Sequence, residues 1–487
     1  MVDWNKEIVP AFAKLGLTAT CEGVAWLEKR LASHPDVEDC FFGGKTRCFD
    51  SLAEFRARKA GGILPNAFEQ PLLDRGTALE RVMAFIADAN SSMLVVHGTG
   101  GVGKTRFLCE AAVQASRLGR FGAVYCATAA AETSQDWYRG IVAEIPALVI
   151  VDEPQDPRFI EILLEQLAGR AKAWKVIIAS RSPNHPVLKA LRRPRLSCVS
   201  RPDLELRALP RDVAFIAATN LAASNLQLST EANAQAADWL YRVSAGIPIW
   251  IAIGVRLLVD RGNLHDLPTD RWGVAEEYLD EIITKAPPTG ASATQLTMLL
   301  RWIALVQPLN REVGAMLELL RREAVMTSVG DVERALESLR TRRVVSFYGI
   351  NDRLVEIRPD VMRDFIIREW LTLPDDPRAS DALRRPSADA TDLVSRMVAT
   401  LVGNDNVPFL RQAVTALARL EYAMDVQLLD PLAEWTLAAA RSATNAAEQS
   451  NVLAIATVFG PFRPIVFAQI VDILNTNDVP DGFWELR

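Results

Sequence analysis

Sulfur and histidine chemistry are scarce in this chain. Its 487 residues include six cysteines (Cys21, Cys40, Cys48, Cys109, Cys126 and Cys198) and four histidines. No two cysteines form a CxxC, and the histidines do not stand beside them at zinc spacing, which argues against a zinc site. Reduced thiols in a cytoplasmic protein are expected. Long apolar runs are lacking too. The most apolar stretch, Gly246 to Val255, is too short to cross a bilayer and is followed by Arg256, so no membrane association is expected. The opening Met-Val-Asp-Trp-Asn-Lys-Glu has no basic-then-apolar leader pattern. Excess positive charge is absent. A net charge of -6 argues against the whole surface gripping nucleic acid, although a local basic face is compatible with it. No repeat with a fixed period is evident.

What is present is ordinary globular material, 49% hydrophobic and 23% charged. The length suggests roughly three or four units. Residues 1–70 are mixed, with one amphipathic helix expected over Val24 to Leu31, and form a small N-terminal domain of unassigned role. From Leu79 to Ala87 a helical period returns. Short apolar runs follow at Met93–Val96, Gly122–Cys126, Ala147–Val151 and Lys175–Ala179. Helical segments over Arg106–Ser116 and Ile162–Ala171 separate them, with Arg211–Ala223 after the last. This alternation marks a buried parallel sheet, so residues 71–205 are expected to be a doubly wound α/β core. Residues 206–290 read as a helical lid, with helices over Ala232–Ser244, Pro248–Asp260 and Val274–Thr284. Residues 291–373 read as three helices, a two-stranded ribbon and a closing helix, the plan of a winged helix. Residues 374–487 read as an all-α region, the possible start of a helical solenoid.

The loop Gly98-Thr99-Gly100-Gly101-Val102-Gly103-Lys104-Thr105 matches GxxxxGK[ST] at every fixed position. The glycines let consecutive amides point inward, so that β- and γ-phosphates sit at the positive end of the following helix. Lys104 supplies a point charge to those oxygens, and the Thr105 hydroxyl suits Mg²⁺. Chance produces this pattern in roughly one to two of a hundred chains of this length. Here it also follows an apolar strand and opens a helix, as the chemistry requires. ATP or ADP with Mg²⁺ is therefore the expected cofactor set.

The run Ala147-Leu-Val-Ile-Val ends in Asp152 and Glu153. Alone, two acids at a strand end are ordinary surface residues. Behind a phosphate loop, Asp152 is placed to hold the metal shell and Glu153 to orient the attacking water. The next strand ends in Ser180-Arg181, and in parallel sheets such ends face the ligand crevice. Arg181 is thus a candidate γ-phosphate contact. His97, just before the loop, is as well explained by a structural role.

With these residues assembled, roughly Pro71 to Leu373 resembles the STAND class of signal-transducing ATPases. That class includes NB-ARC and NACHT-like proteins and bacterial antiviral sensors. Leu72-Leu73-Asp74-Arg75 resembles the segment lining the adenine site, although Asp74 stands where a glycine is usual. The phosphate loop through Arg106, Asp152-Glu153 and Ser180-Arg181 resemble the class phosphate loop, second Walker motif and sensor arginine. Gly246-Ile247-Pro248 is similar to the GxP motif, which implies that Pro248 packs on the base. Arg358-Pro359-Asp360 falls at the MHD-type segment. Asp360 matches its acid, but Pro359 replaces the histidine that touches ADP in relatives, leaving Arg358 as the candidate substitute.

The resemblance implies a switch. ADP holds a closed monomer, an unidentified trigger opens it, ATP drives homo-oligomerisation, and slow hydrolysis resets it, with bacterial defence as the implied setting. Two other readings stand beside it. One is an ATP-dependent transcription regulator whose winged helix reads DNA through Arg334, Arg340, Arg342 and Arg343, a cluster diluted by Glu333 and Glu337 and placed second to intramolecular packing. The other is an AAA+ ATPase of the origin-recognition type.

Overall fold

The computed structural model describes residues 48–60, 70–127, 146–154, 157–168, 174–181, 203–226, 230–261, 263–284, 290–348, 352, 354–371, 400, 407–424 and 427–476. The helix expected over Val24–Leu31 lies outside these residues.

Six strands form the core sheet: β1 (Phe49–Asp50), β2 (Met93–His97), β3 (Ala123–Ala127), β4 (Ala147–Asp152), β5 (Trp174–Ser180) and β6 (Asp203–Glu205). Their order is β1-β3-β4-β5-β2-β6. All neighbours are parallel except β1, which runs antiparallel to β3. The near-continuous apolar runs are explained by burial on both faces. Val95, Val149, Val151, Val176 and Ile178 pack on Phe159, Ile160 and Leu163 of helix α4 (Pro157–Ala168). Leu94, Val96, Leu148, Ile150 and Ile177 face the other way. There they meet Val82 and Phe85 of α2 (Gly76–Ala87), and Phe107 and Leu108 of α3 (Lys104–Arg117). Each such Val, Leu or Ile contributes about 1.5–3 kcal/mol through burial.

Residues 49–60 were assigned to an N-terminal unit apart from the core, yet β1 extends the core sheet, and α1 (Leu52–Ala60) places Phe55 in the α3-side core, fully buried. Phe49 likewise packs edge-on against Tyr125. A two-residue strand carries too little alternation to be seen in sequence. Strand β6 was also unforeseen. Its burial pattern exposes Asp203 and Glu205 and buries only Leu204.

After the sheet come α5 (Arg211–Asn225), α6 (Thr230–Ser244), α7 (Pro248–Arg261) and α8 (Arg271–Thr284). The next unit comprises α9 (Ala293–Val306), β7 (Leu309–Asn310), α10 (Gly314–Glu323) and α11 (Val329–Thr341). It continues with β8 (Val345–Tyr348), β9 (Leu354–Ile357) and α12 (Asp360–Leu371). Its sheet has three strands in the order β7-β9-β8, antiparallel throughout, so the expected two-stranded ribbon gains β7. Capping boxes start α9 (Ser292 with Gln295) and α11 (Ser328 with Asp331), each satisfying two otherwise unpaired amides. Helices α13 (Val407–Met424), α14 (Asp430–Ser442), α15 (Ala446–Phe459) and α16 (Pro464–Thr476) complete the described chain. One contiguous apolar core runs from Leu209 through Leu474 and joins all of these helices. No described helix is long and apolar enough to cross a membrane.

Candidate functional site

Strand register creates the site. His97 pairs with Ser180 and Asp152 with Ala179, so β2, β4 and β5 end on one edge of the sheet. The loop after β2 curls there because Gly98, Gly101 and Gly103 accept backbone angles hostile to side chains. Gly101 lies at φ +79, and Gly103 caps α3 in the left-handed region at φ +97. Lys104 is the first residue of α3 and is only 4% exposed. The first-turn amides of α3 point out of the helix without intrahelical partners.

Lys104 Nζ donates to the carbonyls of Gly98 (2.8 Å) and Thr99 (3.1 Å), and lies 3.0 Å from Glu153 Oε1. The Thr105 hydroxyl donates to Asp152, at 2.9 Å from Oδ2 and 3.1 Å from Oδ1. Arg181 Nε donates to Glu153 Oε2 at 3.2 Å, while its Nη1 donates to Asp364 of α12. Glu153 adopts φ +53, a strained conformation costing on the order of 1–3 kcal/mol. Its amide donates to Ala179 O (3.1 Å), which fixes the side chain over the loop. Burial alone would raise the Glu153 carboxyl, but Arg181 and Lys104 outweigh it and hold the group well below the usual range. Asp364 is pushed up by burial despite its arginine partner.

A cavity of about 280 Å³ opens beside these residues. Of the sequence-predicted set, Gly101, Val102, Gly103, Lys104, Thr105, Arg106, Glu153, Arg181, Arg75, Pro248 and Arg358 all line it. Gly98 and Thr99 instead turn their carbonyls to Lys104. Gly100 lies beneath Arg181 and Val361, since a Cβ there would be 3.6 Å from each. Asp152 joins the site through Thr105 rather than by lining the cavity. Arg75 is a tie rather than an open ligand arm, with Nη2 donating to Arg207 O (2.7 Å) and Val102 O (3.4 Å). Arg358 pairs with Glu356. Burial would raise Glu356, yet Arg358, Lys59 and Arg58 hold it down at about 2. The carbonyl of His97 accepts from Leu206 N at 2.7 Å, a backbone tie between β2 and the chain after β6.

The roof comes from α7 and α12. Ile249 N donates to Gly101 O (3.3 Å), tying the first turn of α7 to the phosphate loop. Gly246, at φ +76, lets the chain pass Leu209, whose amide donates to Gly246 O at 2.8 Å. Pro248 then occupies the first position of α7, where its missing N–H costs nothing. Two site residues escaped the sequence reading. Asp364 follows Asp360 at i+4, so both acids share one face of α12, a signal that was available. Lys59 Nζ lies 2.9 Å from Asp152 Oδ2, and no motif announces it.

No protein-family model matches this chain, and no curated protein does either. Several solved structures are similar to part of this chain. A Walker-type ATPase of Pyrococcus abyssi is 15% identical over 61% of this chain and 96% of its own, with a TM-score of 0.31. Cdc6p of Pyrobaculum aerophilum is 14% identical over 66% of this chain and 100% of its own, at 0.33. The ORC1 protein of Aeropyrum pernix, in complex with DNA, is 14% identical over 67% and 98%, also at 0.33. The STAND resemblance, and with it antiviral signalling, gains nothing from them.

Proposed function

We propose that the chain is an ATP- and ADP-binding switch with slow ATP hydrolysis, whose nucleotide site is read by the α9–α12 unit. The observation that carries this reading is the position of Arg181, bonded on one side to Glu153 of the core and on the other to Asp364 of α12. A side chain suited to a γ-phosphate is thereby tied to the unit that would have to move.

The residues fit the cofactor. Two cations, Lys104 and Arg181, and the first turn of α3 face one cavity, which suits a phosphate tail. The hydroxyl of Thr105 and the carboxylate of Asp152 form the oxygen pair that would hold Mg²⁺. Pro248, Ile249, Leu72 and Leu221 offer apolar surface for a base. The metal, when bound, supplies charge neutralisation at the phosphate oxygens. Lys104 and Arg181 would turn from Glu153 toward those oxygens. Glu153, ionised and released from its two cations, would accept a hydrogen bond from water and orient it. While both cations grip Glu153 it is a poor base, so orientation of water would wait on the phosphate that draws them away. Arg181 cannot serve Asp364 and a γ-phosphate equally, so ATP and ADP would favour different positions of α12.

The α9–α12 unit runs helix–strand–helix–helix–strand–strand–helix, with β8 paired antiparallel to β9, which supports the winged-helix reading. The boundaries 206–290 for the lid and 374–487 for the terminal helices belong to the same proposal. Size-exclusion chromatography with mass measurement, in ADP and in ATP with Mg²⁺, tests the switch. ATP-dependent oligomers are expected, and they should persist in Glu153→Gln. Unchanged nucleotide binding and assembly in Lys104→Ala would refute it.

A second reading, a DNA-binding ATPase of the transcription-regulator or origin-recognition type, rests on exposed Arg334, Arg340 and Arg343 around the end of α11. Asp331 pairs with Arg334, and Asp352 pairs with Arg340 at 2.8 Å, which offsets part of that charge. Salt-sensitive DNA binding lost on joint replacement of Arg334, Arg340 and Arg343 by alanine would favour this reading over self-assembly alone.

A further inference from the structure

The N-terminal segment reaches the metal position. Helix α1 is held to the core by β1, by Phe55 in the α3-side core, and by the Arg58–Asp50 ion pair (2.6 Å). From its last turn Lys59 extends over the Phe55 ring, 5.5 Å from the centroid, to Asp152. Its ammonium shares Asp152 Oδ2 with the Thr105 hydroxyl, each at 2.9 Å. The Asp152 side chain is 5% exposed and that of Lys59 14%, so the pair is shielded from water. Lys59 also lines the cavity, and its charge is felt by Glu356 and Asp360 of the α9–α12 unit. It thus stands where the core, the N-terminal helix and the C-terminal unit meet.

We propose that Lys59 is a built-in competitor of the divalent metal, an inference that rests on the nucleotide reading of this site. An ammonium and a divalent cation cannot both contact one buried carboxylate oxygen without strong repulsion. Metal loading on Thr105 and Asp152 therefore displaces Lys59. Its flexible four-carbon stem lets the ammonium swing into the cavity it already lines, where phosphate oxygens can take it. Metal arrival is thereby signalled to α1 and β1, and loss of the metal returns Lys59 to Asp152. The chain would bind Mg²⁺ less tightly than the Thr105–Asp152 pair alone allows, and the N-terminal segment would loosen when the metal enters.

The test is a Mg²⁺ titration of the full chain with a fluorescent ADP analogue, for the unaltered protein, Lys59→Gln and Lys59→Arg, with thermal melting to confirm folding. Lys59→Gln is expected to lower the half-saturating Mg²⁺ concentration at least five-fold, while Lys59→Arg keeps it high. Hydrogen exchange of residues 52–60 is expected to rise in the unaltered chain when Mg²⁺ is added to the ADP complex, but not with ADP in EDTA. An unchanged midpoint in Lys59→Gln, or α1 exchange indifferent to Mg²⁺, overturns the inference while leaving the nucleotide site intact. A loss of ADP affinity equal with and without Mg²⁺ also overturns it, by making Lys59 a phosphate ligand only. If the unaltered chain binds no ADP, the nucleotide reading fails and takes this inference with it.

Discussion

Arg181 and Asp364, 183 residues apart in the chain, form an ion pair over the phosphate loop, and Arg181 simultaneously holds Glu153. The pair couples the sheet edge that would read a γ-phosphate to the helix that roofs it. Breaking it should loosen the roof. Asp364→Asn is expected to speed release of a fluorescent ADP about 5- to 150-fold, the range for a coupling of about 1–3 kcal/mol. Stopped-flow displacement measures this. A double-mutant cycle with Arg181→Ala should show strong non-additivity, whereas additive effects would mean that the pair carries no coupling.

Glu153 and Lys104 should separate binding from turnover. Glu153→Gln is expected to keep ATP affinity and lower hydrolysis about 10²- to 10⁴-fold. Lys104→Ala is expected to lose both. Equilibrium binding alongside phosphate release checks the two properties on the same samples.

The glycines of the site are not interchangeable. A Cβ on Gly101 would lie 2.0 Å from Ile249 Cγ2, and one on Gly246 would lie 2.3 Å from Leu209 O. Gly119, at φ +65, has nothing within 4 Å of such an atom. Urea unfolding should therefore rank Gly101→Ala and Gly246→Ala as costing more than Gly119→Ala, which bears only the backbone penalty of about 1 kcal/mol. Gly101→Ala should also weaken ADP binding by pushing α7 off the loop. Equal costs at all three sites would contradict the close approach.

Glu356 makes an acid-sensitive contact. Its carboxyl is held at about 2, below its ordinary value of 4.5, so the folded chain binds that proton less readily than the unfolded chain. The resulting stabilisation is complete above about 4.5 and disappears as pH falls toward 2. Asp360 and Asp364, both pushed up by burial, work in the opposite sense. Comparing unfolding free energies of the unaltered chain and Glu356→Gln isolates the Glu356 contribution. The substituted chain should show the shallower loss between pH 4.5 and 2.

The central strands and the phosphate loop were legible because each is a local pattern. Apolar runs mark β2, β4 and β5, glycine spacing marks the loop, and acids or an arginine close the strands at Asp152 and Arg181. Helix ends were readable to within a few residues: α3 begins at Lys104 rather than Arg106, and α4 spans Pro157–Ala168 rather than 162–171. Lys59 was not legible as a site residue, and Asp364 was legible only as an acid sharing a helix face with Asp360, because the importance of both comes from long-range packing. An isolated lysine near a helix end and an acid on a helix face are ordinary surface features until the fold turns them toward Asp152 and Arg181. The role foreseen for Arg75 illustrates the same limit. Its motif position was plain, but its use as a tie across Val102 and Arg207 depends on the chain returning after β6.

The unbroken apolar core from Leu209 to Leu474 has a mechanical consequence. Helices that share one packed interior cannot swing separately without opening it, so movement at α12 is expected to carry α5 through α16 along as one arm. The hydrogen bond joining Leu209 to Gly246 lies at the root of that arm, beside the cavity. A shift at Arg181 would thus be felt from α5 to α16 together rather than by α12 alone.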